Sequence, residues 1–131
     1  MTPSQRTGVA VVGALGRMGE RVRVALAESA HLELAAALEA PGHPDLGREI
    51  EGGVRVTDDA HTAVKAAGVV IDFSLPTSTL AHLQIAAQAG VAYVTGTTGF
   101  DDTQSGKLES LAQRTPVLHA PNFSLSVNLL V

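Results

Sequence analysis

Hydrophobic and polar positions along the chain alternate between a strand period and a helix period. Gly8-Val9-Ala10-Val11-Val12-Gly13 is a short continuous apolar run of β-branched character, the pattern of a strand buried on both faces. From Arg17 the period lengthens: Met18, Val22, Ala25 and Leu26 recur at i, i+4, i+7 and i+8, with Arg17, Glu20, Arg21 and Arg23 around the other side, which predicts a helix. Leu32 to Leu38 predicts a second strand ending at Glu39. Ala40 to Gly53, rich in proline, glycine and mixed charge, predicts a surface loop with one irregular helical turn over Asp45 to Glu51. Val54 to Val56 predicts a short edge strand and His61 to Ala67 a short helix ending at Gly68.

The second half of the chain repeats the alternation. Val69-Val70-Ile71-Asp72-Phe73 is the most strand-like pentapeptide present. Thr77 to Ala89 carries Leu80, Leu83 and Ala87 on one stripe and closes at Gly90, which suits the left-handed position after a helix. Val91 to Thr95 is the next strand and Gly96 to Gly99 a loop. Asp101 to Arg114 is a helix in which Asp101 caps and Gln104 reaches back, and Pro116 to Ala120 is a last strand. Strands alternating with helices require parallel pairing through right-handed crossovers. The fold class is therefore α/β: a Rossmann-like open parallel sheet with helices on both faces, a single domain over residues 1–131, with ligands at the carboxyl ends of its strands.

Composition narrows the function. The 131 residues are 45% apolar, enough for a packed core, and fit about one domain. Nine Lys plus Arg against thirteen Asp plus Glu give a net charge of −4 with no basic stripe, so neither a nucleic acid nor a membrane is an expected partner. Cysteine is absent, which removes thiolate chemistry and suits a reducing cytosol, and no two of the five histidines have the spacing of a zinc site. No stretch approaches the eighteen or so apolar residues of a bilayer span. A soluble cytoplasmic protein without a metal is the expectation.

Candidate chemistry gathers at the predicted strand ends. Gly13-Ala14-Leu15-Gly16-Arg17-Met18-Gly19 forms a turn between strand and helix, where glycine lets the backbone approach a diphosphate and the positive helix end receives its charge. The spacing departs from the common GxGxxG, since Leu15 and Met18 stand where its second and third glycines would be, and such turns also occur without ligands. Glu39, twenty residues after Gly19, stands where a carboxylate accepts hydrogen bonds from adenosine ribose hydroxyls; the alternative is a solvated glutamate. A 2′-phosphate would need a cation beside it, and Ala40-Pro41-Gly42 supply none. NADH is therefore favoured over NADPH, with Arg17, His43 and Arg48 as the cations able to reverse that preference. Phe73-Ser74, Gly96-Thr97-Thr98-Gly99 and Ala120-Pro121-Asn122-Phe123-Ser124 place hydroxyls and glycine N–H groups at three further strand ends, suited to a nicotinamide carboxamide or to turn chemistry alone.

Taken in order, the GRMG turn, Ala36-Ala37-Leu38-Glu39, Val70-Ile71-Asp72-Phe73-Ser74, Gly96-Thr97-Thr98-Gly99-Phe100 and Ala120-Pro121-Asn122-Phe123-Ser124 resemble the amino-terminal half of bacterial dihydrodipicolinate reductase along the whole chain. The resemblance implies an NAD(P)H-dependent oxidoreductase of the diaminopimelate route to lysine, moving hydride to 4-hydroxy-tetrahydrodipicolinate. It implies that Gly13, Ala14, Leu15, Gly16, Arg17 and Met18 hold the diphosphate, Glu39 the ribose, and Gly96, Thr97 and Thr98 the nicotinamide side. Ala120, Pro121, Asn122 and Phe123 would complete that pocket. Two positions depart from the family: Ala40, where many relatives have arginine, and Ser126, where glycine is usual.

The family's substrate-binding half, with its histidine-rich segment and lysine-containing string, has no counterpart in these residues, so a truncated piece is expected to be inactive alone. In the full-length family the subunits associate largely through that half as homo-oligomers. His119 is read as structural rather than as a substitute acid. The competing readings are a free-standing NAD(H)-binding regulatory module without catalysis and an S-adenosylmethionine-dependent methyltransferase, which shares the glycine turn and acidic residue.

Overall fold

The computed structural model describes residues 5–120. One sheet is built from β1 (Thr7–Val12), β2 (Leu32–Leu38), β3 (Val56–Thr57), β4 (Val69–Asp72), β5 (Ala92–Thr95) and β6 (Val117–His119), with helices α1 (Arg17–Glu28), α2 (Ala60–Lys65), α3 (Pro76–Ala89) and α4 (Asp102–Ala112) between strands. Its order is β3-β2-β1-β4-β5-β6 and every pairing is parallel. The order reverses between β1 and β4, which opens a crevice at the carboxyl ends of those two strands.

Alternation along β1 divides the core. Val9 and Val11 face Val22 and Leu26 of α1, while Ala10 and Val12 face the layer formed by Val64 of α2, Leu83 of α3 and Leu108 and Leu111 of α4. Each buried Val or Leu contributes about 1.5–3 kcal/mol, so both faces of β1 are held. Helices therefore lie on both sides of the sheet, as the alternating pattern predicts.

Several boundaries move, each for a local reason. Gly13 lies beyond β1 with φ +75, because its N–H turns to the Leu38 carbonyl (2.9 Å), and β4 ends at Asp72 rather than Phe73. On α1 the buried stripe is Gly19, Val22, Ala25 and Leu26; Met18 is only half-buried. On α3 it is Thr79, Leu80, Leu83 and Ala86, with Ala87 at the margin. Asp45 to Glu51 is not helical: a single 3-10 turn covers Glu51–Gly53, and Glu49 bridges back to Arg55. Ile50 N–H bonds the Val54 carbonyl (2.8 Å), which commits Val54 to this small hairpin and leaves the edge strand only Val56 and Thr57. The short helix α2 stops at Lys65, before Ala67, as Gly68 N–H reaches the Gly8 carbonyl (2.9 Å) and draws the chain into the sheet.

Local chemistry elsewhere behaves as read. Asp101 accepts from Gln104 N–H (2.8 Å) while the Gln104 side chain accepts from Asp101 N–H (3.0 Å), a complete capping box, although α4 closes at Ala112 rather than Arg114. Gly90 ends α3 at φ 71. No helix among the described residues is long and apolar enough to cross a membrane.

Candidate cofactor site

The turn after β1 is a backbone cradle. Gly13 and Ala14 both direct their N–H groups to the Leu38 carbonyl (2.9 and 3.2 Å), and Gly16 N–H bonds the Gly13 carbonyl (3.1 Å). Gly16 caps α1 with no side-chain hydrogen bond. Among the described residues, the N–H groups of Arg17 and Met18 in the first turn of α1 have no partner, so the positive helix end is open to an anion. Ala14, expected at the diphosphate, is fully buried in the core with its N–H already used; it shapes the turn and offers nothing to a ligand. Gly19, the last glycine of the turn, lets α1 pack closely against it, since a Cβ there would lie 2.1 Å from the Gly13 carbonyl oxygen.

Glu39 sits beside this cradle and is held in place. One carboxylate oxygen accepts from Leu15 N–H at 2.8 Å, a contact between residues 24 apart. Glu39 is half-buried, and its second oxygen has no partner among the described residues. Next to it opens a cavity of about 440 Å³ lined by Val12, Gly13, Leu38, Glu39, Ala40, Pro41, Asp58, Ser74, Leu75, Ser78 and His82. The sequence reading missed Asp58, Leu75, Ser78 and His82. His82 bonds through Nδ1 to the Ser78 carbonyl (2.7 Å), so a serine and histidine four apart on α3 were the available signal.

The Phe73-Ser74 and Gly96-Thr97-Thr98 loops meet across the crevice, but their hydroxyls divide differently from the expectation. Thr97, expected to face a nicotinamide, buries its side chain at 2% exposure. Its hydroxyl accepts from Ser74 N–H (3.3 Å) and lies 2.8 Å from the Thr79 hydroxyl, so it ties β4, α3 and the loop together, while Thr98 is the exposed threonine. Gly96 N–H is held by the Asp72 carbonyl (3.0 Å). His119 donates from Nε2 to the Thr97 carbonyl (2.7 Å) and stands edge-on to Phe100, which makes it a brace for the loop, as its structural reading requires. Ala120 N–H bonds the Thr95 carbonyl (2.8 Å); Pro121, Asn122 and Phe123 lie outside the described residues.

Beneath the loops lies a buried pair that the sequence did not disclose. The Tyr93 hydroxyl donates to Asp72 Oδ2 at 2.5 Å, both residues being essentially inaccessible, and Asp72 Oδ1 has no hydrogen-bond partner among the described residues. Burial first, and the adjacent carboxylate second, push the Tyr93 hydroxyl well above the ordinary tyrosine value.

A parallel sheet of this order, with an open helix end and an acidic residue held at the tip of the neighbouring strand, defines a dinucleotide-binding domain of the Rossmann type. The profile of the family described as "Dihydrodipicolinate reductase, N-terminus" matches residues 7–123, and the chain belongs to that family. It is 41% identical over 129 residues to the 4-hydroxy-tetrahydrodipicolinate reductase of Thiobacillus denitrificans, covering 94% of this chain and 48% of that protein. It is 40% identical over 135 residues to the enzyme of the same name from Ruegeria sp. (strain TM1040), covering 98% and 50%. The chain thus spans about half the length of the curated relatives it matches. Among solved structures, the dipicolinate-bound dihydrodipicolinate reductase from Paenisporosarcina sp. TG-14 superposes with a TM-score of 0.69 at 26% identity, over 82% of this chain and 43% of that one.

Proposed function

We propose that the chain is the cofactor half of an NADH-dependent 4-hydroxy-tetrahydrodipicolinate reductase. The observation that carries this reading is the pairing of Glu39 with Leu15 N–H beside the uncapped start of α1, because it sets a ribose acceptor and an anion cradle side by side. Arg17 and Met18 N–H groups would receive the diphosphate, with Gly13 and Gly16 giving the backbone its close approach and Leu15 orienting the glutamate. The free oxygen of Glu39 would accept from a ribose hydroxyl, and the 440 Å³ cavity beyond it suits the adenine end. Ser74, Gly96 and Thr98 would line the nicotinamide end together with Ala120 to Phe123, while Thr97 holds the loop from below. The bound dinucleotide supplies the hydride. This chain's residues bind and orient it, and the substrate carboxylates and the proton donor call for cationic and acidic groups from another domain.

Calorimetric titration with NADH tests the reading. A dissociation constant between about 1 µM and 1 mM is expected for the chain, and Glu39→Ala should weaken it by about 1–3 kcal/mol, since a charged acceptor and the brace on Leu15 are lost together. Equal affinity in the variant would remove Glu39 from the site. Binding of S-adenosylmethionine in place of NADH would favour the methyltransferase reading instead.

The second expectation concerns turnover. Oxidation of NADH by the chain alone, with freshly generated substrate, should stay below about a hundredth of the rate of a full-length relative, because positioning of both reactants is worth several orders of magnitude. A rate comparable to the relative's would place the catalytic groups in this half.

A further inference from the structure

We infer that Asp58 acts with Glu39 as a second carboxylate that makes the adenosine ribose site reject dinucleotides carrying a 2′-phosphate. The inference rests on the cofactor reading above and assigns a selectivity role to a residue outside the glycine turn and the acidic position after β2.

Sheet register brings the two carboxylates together. Leu38 pairs with Thr57 at the ends of β2 and β3, and Glu39 N–H bonds the Thr57 carbonyl (3.0 Å), so the next residue on each strand, Glu39 and Asp58, leaves the sheet side by side. Both line the same cavity. Glu39 cannot turn away without giving up Leu15 N–H. Asp58 is the first of two consecutive aspartates. Asp59 caps α2, accepting from Thr62 N–H (3.2 Å) and the Thr62 hydroxyl (2.8 Å), and these bonds hold its carboxyl below the ordinary aspartate value. The Asp58 carboxylate has no such partner among the described residues, and this exposed residue lines the cavity.

Among the described residues, no lysine or arginine lines the cavity to offset the pair. Arg17 lies in a separate groove with Glu20, Arg21 and Val24, and Arg48 is paired with Asp45 (3.8 Å) on the surface. His43 accepts from Asp45 N–H through Nδ1 (3.0 Å) and is not among the cavity residues. These are the three side chains able to reverse the preference, and none lines the cavity. His82 does, with its Nδ1 turned to the Ser78 carbonyl (2.7 Å).

The chemistry of the ligand makes the difference. Ribose hydroxyls donate to carboxylates, whereas a 2′-phosphate brings acceptor oxygens and nearly two negative charges toward two carboxylates. One unit charge facing such a phosphate at roughly 7 Å in a water-like dielectric changes the affinity by a factor of about five to ten.

The experiment titrates the 131-residue chain and Asp58→Asn with NADH and NADPH at about pH 8 and low salt, following nicotinamide fluorescence. The wild-type chain should bind NADH at least about tenfold more tightly than NADPH. Asp58→Asn should reduce that ratio about five- to tenfold, and the reduction should shrink as salt rises to about 0.5 M. Circular dichroism checks the fold of the variant, and Asp58→Ser provides a second neutral side chain should the amide introduce a new contact. Selective NADH binding with a ratio unmoved in both variants overturns the role of Asp58 alone. Equal wild-type affinities overturn the selectivity, and binding of neither dinucleotide overturns the cofactor reading together with it.

Discussion

Replacing Gly19 with alanine should destabilise the chain by at least about 3 kcal/mol and abolish NADH binding. The added Cβ would fall 2.1 Å from the Gly13 oxygen and 2.8 Å from the Ala14 Cα, both backbone atoms of the turn that α1 packs against. Neither atom can yield without moving Gly13 off the Leu38 carbonyl and lifting α1 from the sheet. Gly16→Ala provides the contrast: at φ −75 its Cβ would meet the Gly13 oxygen at 3.4 Å, a tolerable contact, so a loss below about 1 kcal/mol is expected. Urea denaturation of the two variants measures both. A Gly19→Ala chain as stable as the Gly16→Ala chain would mean that helix and turn do not approach as described.

Tyr93→Phe should cost about 2–4 kcal/mol, because the Asp72 carboxylate would lose its side-chain donor at a site without water access. The same pair sets a pH dependence. The folded protein holds the Tyr93 proton to higher pH than the unfolded chain, so above about pH 10 the unfolded state binds fewer protons and stability falls as pH rises. Below that value the contribution is fully present. Tyr93 is the chain's only tyrosine and there is no tryptophan, so tyrosinate absorbance reports this hydroxyl alone. The absorbance should appear in the folded protein only well above about pH 10, together with unfolding, and the alkaline loss linked to this group should be absent from the phenylalanine variant. Ionisation near the ordinary tyrosine value with the fold intact would rule out the buried pair.

Family membership and the geometry of the site divide the biochemical question. The open end of α1 and Glu39 stand side by side at the carboxyl ends of β1 and β2, and among the described residues no three His, Asp or Glu side chains group as a metal site would need. His119, the histidine nearest the expected nicotinamide loop, already gives its Nε2 proton to the Thr97 carbonyl.

Features carried by neighbours along the chain were legible in the sequence. The apolar run of β1, the helical period of α1, the Asp101–Gln104 capping box and the left-handed Gly90 each depend on residues within a few positions of one another, so composition and spacing suffice to specify them. The glycine turn and Glu39 were readable for the same reason, since the length of one strand–helix–strand unit places the acidic residue at the second strand end. Tertiary structure alone decided which groups those residues meet. Leu15 N–H finds Glu39, Tyr93 finds Asp72, and Thr97 turns its hydroxyl toward Thr79 and away from the cleft across 18 to 24 residues of sequence. Asp58 comes beside Glu39 through a two-residue strand, too short to carry a register in its own pattern. Such pairings are set by crossovers and sheet register, and the periodicity of a single segment contains no information about the segment that will lie next to it.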